Sequence, residues 1–228
     1  MPDPNRVYRS KLREDNADRT RRQILDAARD LFVPRGYARV TVADIAAAAG
    51  VAVKTVYASV GTKPEILHRL IAADVADSRA EESVAAARDA DDLPAALSAV
   101  AGAVRRNTER FTPSIDLLLS ASAGDDRARE VWGYVLERYR EALREVARHL
   151  VSARLTAPHL DTDAVADRLW LCFGLSSWRV LVGECGWGYD AAEELLTRQA
   201  LSLLQDPEPL PVGSGPRSTA PPPDAAQV

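Results

Sequence analysis

Residues 41–60 read Thr41-Val-Ala-Asp-Ile-Ala-Ala-Ala-Ala-Gly50-Val-Ala-Val-Lys-Thr-Val-Tyr-Ala-Ser-Val60. Thr41 is a strong helix N-cap, and Asp44 stands three residues on, where an acidic side chain reaches back to the cap. Val40 and Ile45 occupy the two ends of a hydrophobic staple across that start. Alanine costs least in a helix, so the run that follows is helical, and Gly50 stops it. A second short helix, roughly 52–58, comes after only a few residues. Val42, Ile45, Ala46, Ala49 and Val51 are small or apolar, as two closely packed short helices require, and Val56 is placed to bury. Lys54, Thr55 and Tyr57 are left to face outward. Two short helices and a tight glycine turn match the helix-turn-helix plan. In that plan the second helix is narrow enough for the DNA major groove, and the first crosses the backbone.

Upstream, Ile24, Leu25, Ala28, Leu31 and Phe32 recur at helical spacing from Arg21 on, with Gly36 as a C-terminal stop and Pro34 as an earlier breaker. Residues 1–17, with Arg6, Arg9, Lys11 and Arg13 and little apolar content, read as a flexible basic arm. Such an arm can enter a minor groove. Downstream, Thr62-Lys-Pro-Glu65 restarts a helix expected to reach about residue 86. Further helices are expected over about 94–110, from Thr112-Pro113 to near Gly124, from Asp125-Asp126 to about 153, from Asp161-Thr-Asp163 to Gly183 or Gly186, and over 191–204. No alternating strand-like stretch competes. From Asp206 the chain turns Pro/Gly/Ser-rich and reads as a disordered tail. The fold class is all-α: a helix-turn-helix domain over 18–78, then a helical bundle over 79–205.

The chain has 228 residues, enough for a well-buried core, and 46% hydrophobic residues. No window of about 18 apolar residues lacks charge and no secretory leader is visible, so a membrane span is not expected and a cytoplasmic location is. Cys172 and Cys185 are too few for a disulfide scaffold. The net charge is −4, but residues 1–70 hold 13 Lys+Arg against 8 Asp+Glu, and the remainder holds 16 against 25. A basic end on an acidic body suits a nucleic-acid partner. The three histidines lack metal-ligand spacing, and no phosphate loop, nucleophile elbow or His-Glu-x-x-His stands in the sequence. Neither an enzyme, a metal nor a cofactor is expected.

The run Arg22-Gln-Ile-Leu-Asp-Ala-Ala-Arg-Asp-Leu-Phe32, with Gly36-Tyr37, Thr41-Val-Ala-Asp-Ile-Ala46, Ala49-Gly-Val51, Thr55-Val-Tyr57 and Lys63, resembles the tetracycline-repressor (TetR) family over roughly 20–67. The resemblance implies a homodimeric, ligand-responsive transcriptional regulator, most often a repressor released from a pseudo-palindromic operator by a small molecule. It also implies that Thr41, Tyr57 and Lys63 meet phosphates while Val53, Lys54 and Thr55 face base edges. Lys54 can reach guanine O6 or N7, and Val53 or the Thr55 methyl can meet a thymine methyl. The chain departs from the family pattern at Ala52, where a polar cap is usual, at Ser59-Val60 and at Pro34; Ser59 can still bond a phosphate.

The C-terminal half holds Trp132, Trp170, Trp178 and Trp187. Most of its aromatics read as core and dimer interface. Phe111, Leu118, Trp132, Trp170 and Phe173 are candidates for an apolar effector pocket. The last two long helices, with Leu195, Leu196, Leu203 and Leu204, are the expected dimer interface. A transcriptional activator and a helical ligand-binding module without repressor activity remain as alternatives.

Overall fold

The computed structural model describes residues 4–78 and 80–205. Helix α1 spans Pro4–Arg35, a 3-10 turn Tyr37–Arg39, α2 Val42–Ala48, α3 Val53–Ser59, α4 Lys63–Asp77, α5 Ala80–Arg88, α6 Leu93–Ser122, α7 Asp126–Ser152, α8 Thr162–Phe173, α9 Leu175–Trp178 and α10 Tyr189–Gln205. Residues 179–184 form a π-helical turn. Among the described residues there is no strand. No single helix there is long and apolar enough to cross a membrane.

The described residues divide into two compact units, one of 4–77 with 113–133, the other of 78 and 80–112 with 134–205. The first unit therefore takes in the end of α6 and the start of α7, which the sequence reading placed with the C-terminal bundle.

In the first unit α1 buries Ile24, Ala28 and Phe32, spaced four apart, each at 0% exposure. That stripe meets α2, α3 and α4. Burying each large side chain of it contributes roughly 1.5–3 kcal/mol. Phe32 lies 5.4 Å from Tyr37, ring centroid to ring centroid. Ile45 and Ala46 of α2, Val56 of α3, and Ile66, Leu67, Leu70 and Ile71 of α4 complete this core.

In the second unit Leu97, Val100 and Val104 of α6 pack with Leu143, Val146 and Leu150 of α7 and with Leu169, Cys172 and Phe173 of α8. α10 closes it with Ala192, Leu196, Ala200 and Leu204, a period-four stripe against α8. The Ala157 amide donates to the Leu204 carbonyl at 2.8 Å. Arg105 of α6 is paired with Glu193 of α10 at 3.1 Å and with Asp190.

Five expectations are corrected. Residues 4–17 are helical rather than a loose arm: Pro4 sits in the first turn, where its missing N–H costs nothing, and helix-favouring residues run unbroken by Gly or Pro to Pro34. Pro34 does not end α1 early, because it stands one residue from the end and forfeits a single bond; the Gly36 amide closes onto the Phe32 carbonyl at 2.8 Å. The helix begun at Lys63 ends at Asp77, and α5 is separate from it. Thr112-Pro113 lies inside α6 instead of starting a new helix. There the Thr112 hydroxyl donates to the Thr108 carbonyl at 2.6 Å, next to the backbone bond that Pro113 cannot make. The helix from Asp161 also breaks at Gly174, where a Cβ would come 2.4 Å from the Trp170 carbonyl oxygen. The tail expected from Asp206 lies outside the described residues.

Candidate nucleic-acid interface

The α2 N-terminus forms as its residues dictate. The Thr41 hydroxyl accepts from the Asp44 amide at 3.2 Å, and the Asp44 carboxylate accepts from the Thr41 amide at 2.8 Å. The hydroxyl also donates to that carboxylate at 2.7 Å. The Thr41 hydroxyl and amide together hold the Asp44 carboxyl below its usual range. At the other end the Gly50 amide bonds the Ala47 carbonyl and the Val51 amide bonds the Ala46 carbonyl, a Schellman closure in which Gly50 takes φ +66°. The turn sends α3 off at 100° to α2, within the range of helix-turn-helix pairs.

On α3, Val56 is at 0% exposure and anchors the helix, whereas Val53 is 41% and Tyr57 52% exposed. Val53 and Tyr57 stand four apart, on one outward face. Lys54 is exposed beside them and Thr55 is half-buried. Ala52 is the N-cap and offers no side-chain bond, as its methyl group dictates. The far end of α3 is better supplied: Arg21 of α1 donates to the Ser59 carbonyl at 3.5 Å and Arg69 of α4 to the Val60 carbonyl at 3.2 Å. Both guanidinium groups suit the negative end of a helix. Ser59 itself is half-buried.

Lys63 opens α4. Its ammonium lies 4.2 Å from the Tyr37 ring centroid, a cation–π distance, and donates to the Ala38 carbonyl at 3.4 Å. Partial burial pulls its pKa down, and the nearby Asp125 charge opposes that pull. Tyr37 donates its hydroxyl to Asp125 at 2.8 Å. Burial first, then the Asp125 bond, pushes the Tyr37 phenol well above its ordinary range. Glu65 caps this start, accepting from the Thr62 amide at 2.7 Å and the Thr62 hydroxyl at 2.8 Å.

Val53, Lys54 and Tyr57 thus share the open side of α3, while Thr41 and Lys63 open α2 and α4 of the same unit. The sequence reading gave Arg21 and Arg69 no role and gave Asp125 only a place at the start of α7. The bonds of Arg21 to Ser59 and of Tyr37 to Asp125 join elements far apart along the chain, and that of Arg69 reaches back nine positions into the preceding helix end, so no helical spacing signals them. Of the five effector candidates, Leu118 and Trp132 belong to the first unit and Phe111, Trp170 and Phe173 to the second. Phe173 is fully buried, and its carbonyl accepts from the Tyr139 hydroxyl at 2.6 Å. Trp170 meets Tyr139 edge-on at 5.6 Å, and Arg140 lies 4.9 Å from its ring.

Residues 24–70 match the model of the bacterial regulatory proteins of the tetR family. The chain carries a tetR-family N-terminal domain. Its fold agrees over most of its length. A TetR-family transcriptional regulator assigned as such in Mesorhizobium loti is 17% identical with a TM-score of 0.66, over 82% of this chain and 96% of that one. A TetR/AcrR-family regulator of Thermobifida fusca is 21% identical with a TM-score of 0.61, over 84% and 100%. The transcriptional regulator FadR of Bacillus subtilis, solved with stearoyl-CoA, is 19% identical with a TM-score of 0.61, over 80% and 96%. No curated protein matches the sequence. The matched stretch contains the whole helix-turn-helix and Lys63.

Proposed function

We propose that this chain is a cytoplasmic, ligand-responsive repressor that binds a pseudo-palindromic operator as a homodimer and is released by a small, largely apolar molecule. The observation that carries the reading is the open face of α3. Val53 and Tyr57 are large apolar side chains left in water beside Lys54, on a helix whose one buried residue is Val56. Two such side chains on one face beside a lysine suit a partner surface. In the proposed complex Val53, Lys54 and Thr55 meet base edges, and Thr41, Tyr57, Ser59 and Lys63 meet phosphates. The base contacts specify and the phosphate contacts position.

One reading head of this size buries too little surface to find a single genomic site, so two-fold pairing is part of the proposal. Leu171 at 60%, Val180 at 44% and Trp187 at 41% exposure support it, since α8 and its sequel up to α10 carry apolar surface that this chain leaves uncovered. For the effector, Phe111, Leu118, Trp132, Trp170 and Phe173 are the proposed contacts. That a protein of this fold is solved with stearoyl-CoA supports an effector with apolar character. Such a ligand shifts the equilibrium between states only by its difference in affinity for them.

Selection of bound duplexes from random DNA tests the reading. A recovered inverted repeat supports it, and recovery of no preferred sequence overturns it.

A further inference from the structure

Lys63 is assigned above to a phosphate, yet in the free protein its ammonium rests on the Tyr37 ring and the Ala38 carbonyl. What holds that ring is Asp125, the residue just before α7. The two carboxylate oxygens of Asp125 have separate tasks. Oδ1 accepts from the Ala128 amide at 3.1 Å and so caps α7, and Oδ2 accepts from the Tyr37 hydroxyl at 2.8 Å. The Asp125 carbonyl takes the Arg129 amide at 3.1 Å, so the backbone here is committed to the helix. Arg129 also donates to the Ser122 carbonyl at 2.8 Å and pairs with Asp126, which ties the turn between α6 and α7 shut. The carboxylate is thus fixed from behind before it meets Tyr37.

We propose that Asp125 is a positioning residue for Lys63: it anchors the Tyr37 ring on which the ammonium rests and so pre-places the phosphate-contacting lysine at the start of α4. The inference rests on the reading of Lys63 as a phosphate contact. A free lysine side chain loses rotamer entropy when it is immobilised. Resting on a fixed ring and carbonyl, Lys63 has surrendered part of that freedom before DNA arrives, and preorganisation of this kind raises affinity without adding a contact. The direct charge of Asp125 works the other way, since a carboxylate near a phosphate repels it. Its anchoring and its charge therefore make opposite contributions, and substitutions separate them.

Asp125→Ser keeps an N-cap, because serine is among the best caps, but is too short to reach the Tyr37 hydroxyl. Tyr37→Phe keeps the ring and the α7 cap and deletes the bond alone. Asp125→Asn keeps the size and polar reach and removes the charge. The chain has three lysines, Lys11, Lys54 and Lys63, so a lysine-selective isotope label gives a spectrum that Lys63→Ala assigns. In the full chain without DNA, the Lys63 ε-methylene signal should lie upfield from ring current. It should move to the position of an exposed lysine in Asp125→Ser and in Tyr37→Phe. Affinity for a non-specific duplex should fall about threefold to tenfold in each, as loss of one hydrogen bond to a charged group allows. It should fall no further in the double variant and show no such fall on a Lys63→Ala background. Asp125→Asn should bind at least as well as the parent. An unmoved Lys63 signal in Asp125→Ser overturns the proposal, as do affinity losses that persist undiminished without Lys63. If the parent chain binds no duplex at all, the proposed function fails, while the Lys63 signal still decides whether Asp125 positions it.

Discussion

Arg29 grips Asp74 with two nitrogens, at 2.8 and 3.1 Å, and turns the second of these also toward the Ser114 hydroxyl at 3.1 Å. One guanidinium thus joins α1, α4 and the last part of α6 inside the first unit. Asp74 is the more buried partner, its side chain 14% exposed against 38% for Arg29. A two-point fork of this kind is the strong form of an ion pair, though partial exposure of Arg29 screens it. Asp74→Ala should destabilise the protein by about 1–2 kcal/mol in urea unfolding. Arg29→Lys should recover little of the bond, because an ammonium cannot present the fork. A Lys variant as stable as the parent would show that charge alone is at work.

Tyr57 and Lys54 should separate positioning from reading. Tyr57→Ala should weaken binding to every duplex by a similar factor and leave its salt dependence unchanged, because the phenol carries no charge. Lys54→Ala should relax preference at one base pair of each half-site, by about 1–3 kcal/mol of discrimination. Competition binding against permuted sites, repeated over a range of salt, measures both.

The cap of α2 has a stability cost and a pH signature. Thr41→Ala removes the acceptor of the Asp44 amide and should cost about 1 kcal/mol. The Asp44 carboxyl is held below its unfolded value, near 3.9, by the bonds from Thr41. A depressed carboxyl contributes stability that is fully present above the unfolded value and is lost as the pH falls through the folded one. The contribution should therefore be intact from neutral pH down to about 5 and decline below 4. Asp44→Asn should remove that segment of the acid unfolding curve and leave the neutral range flat.

The two thiols should differ sharply in reactivity. Cys172 is buried, 1% exposed, and burial raises its thiol to about 11, while Cys185 is exposed. The thiolate is the reactive form. At pH 8 an alkylating reagent should modify one cysteine of the native protein, Cys185, and the second only after denaturant is added. Equal rates at both positions, followed by mass spectrometry of peptides, would contradict the buried placement.

Much of the reading head was legible because its signals are local. Thr41 and Asp44 sit three apart, Gly50 falls where the left-handed turn is needed, and Val56 is the one inward residue of α3. The longer helices were harder. Residues 4–17 lack an apolar stripe, so periodicity had nothing to register, although their residues favour a helix. Pro113 reads as a breaker, yet α6 runs through it, because packing decides where a 30-residue helix ends more than one lost backbone bond does. Arg21 and the bond of Asp125 to Tyr37 were illegible for a different reason. The bonds from Arg21 to Ser59 and from Tyr37 to Asp125 span 38 and 88 positions, and no spacing rule reaches that far.

The double use of Asp125 sets a rule for how this pair of positions can drift over evolutionary time. The cap alone accepts Ser, Thr, Asn or Asp. The cap and the Tyr37 hydroxyl together need two polar atoms at one side chain of this length, which among those four aspartate and asparagine supply and serine and threonine do not. Among descendants of such a chain, lineages that replace Tyr37 by phenylalanine release position 125 to any of the four, whereas lineages that keep the tyrosine should keep aspartate or asparagine. Covariation between two positions so distant in sequence would then be the trace of one side chain with two obligations.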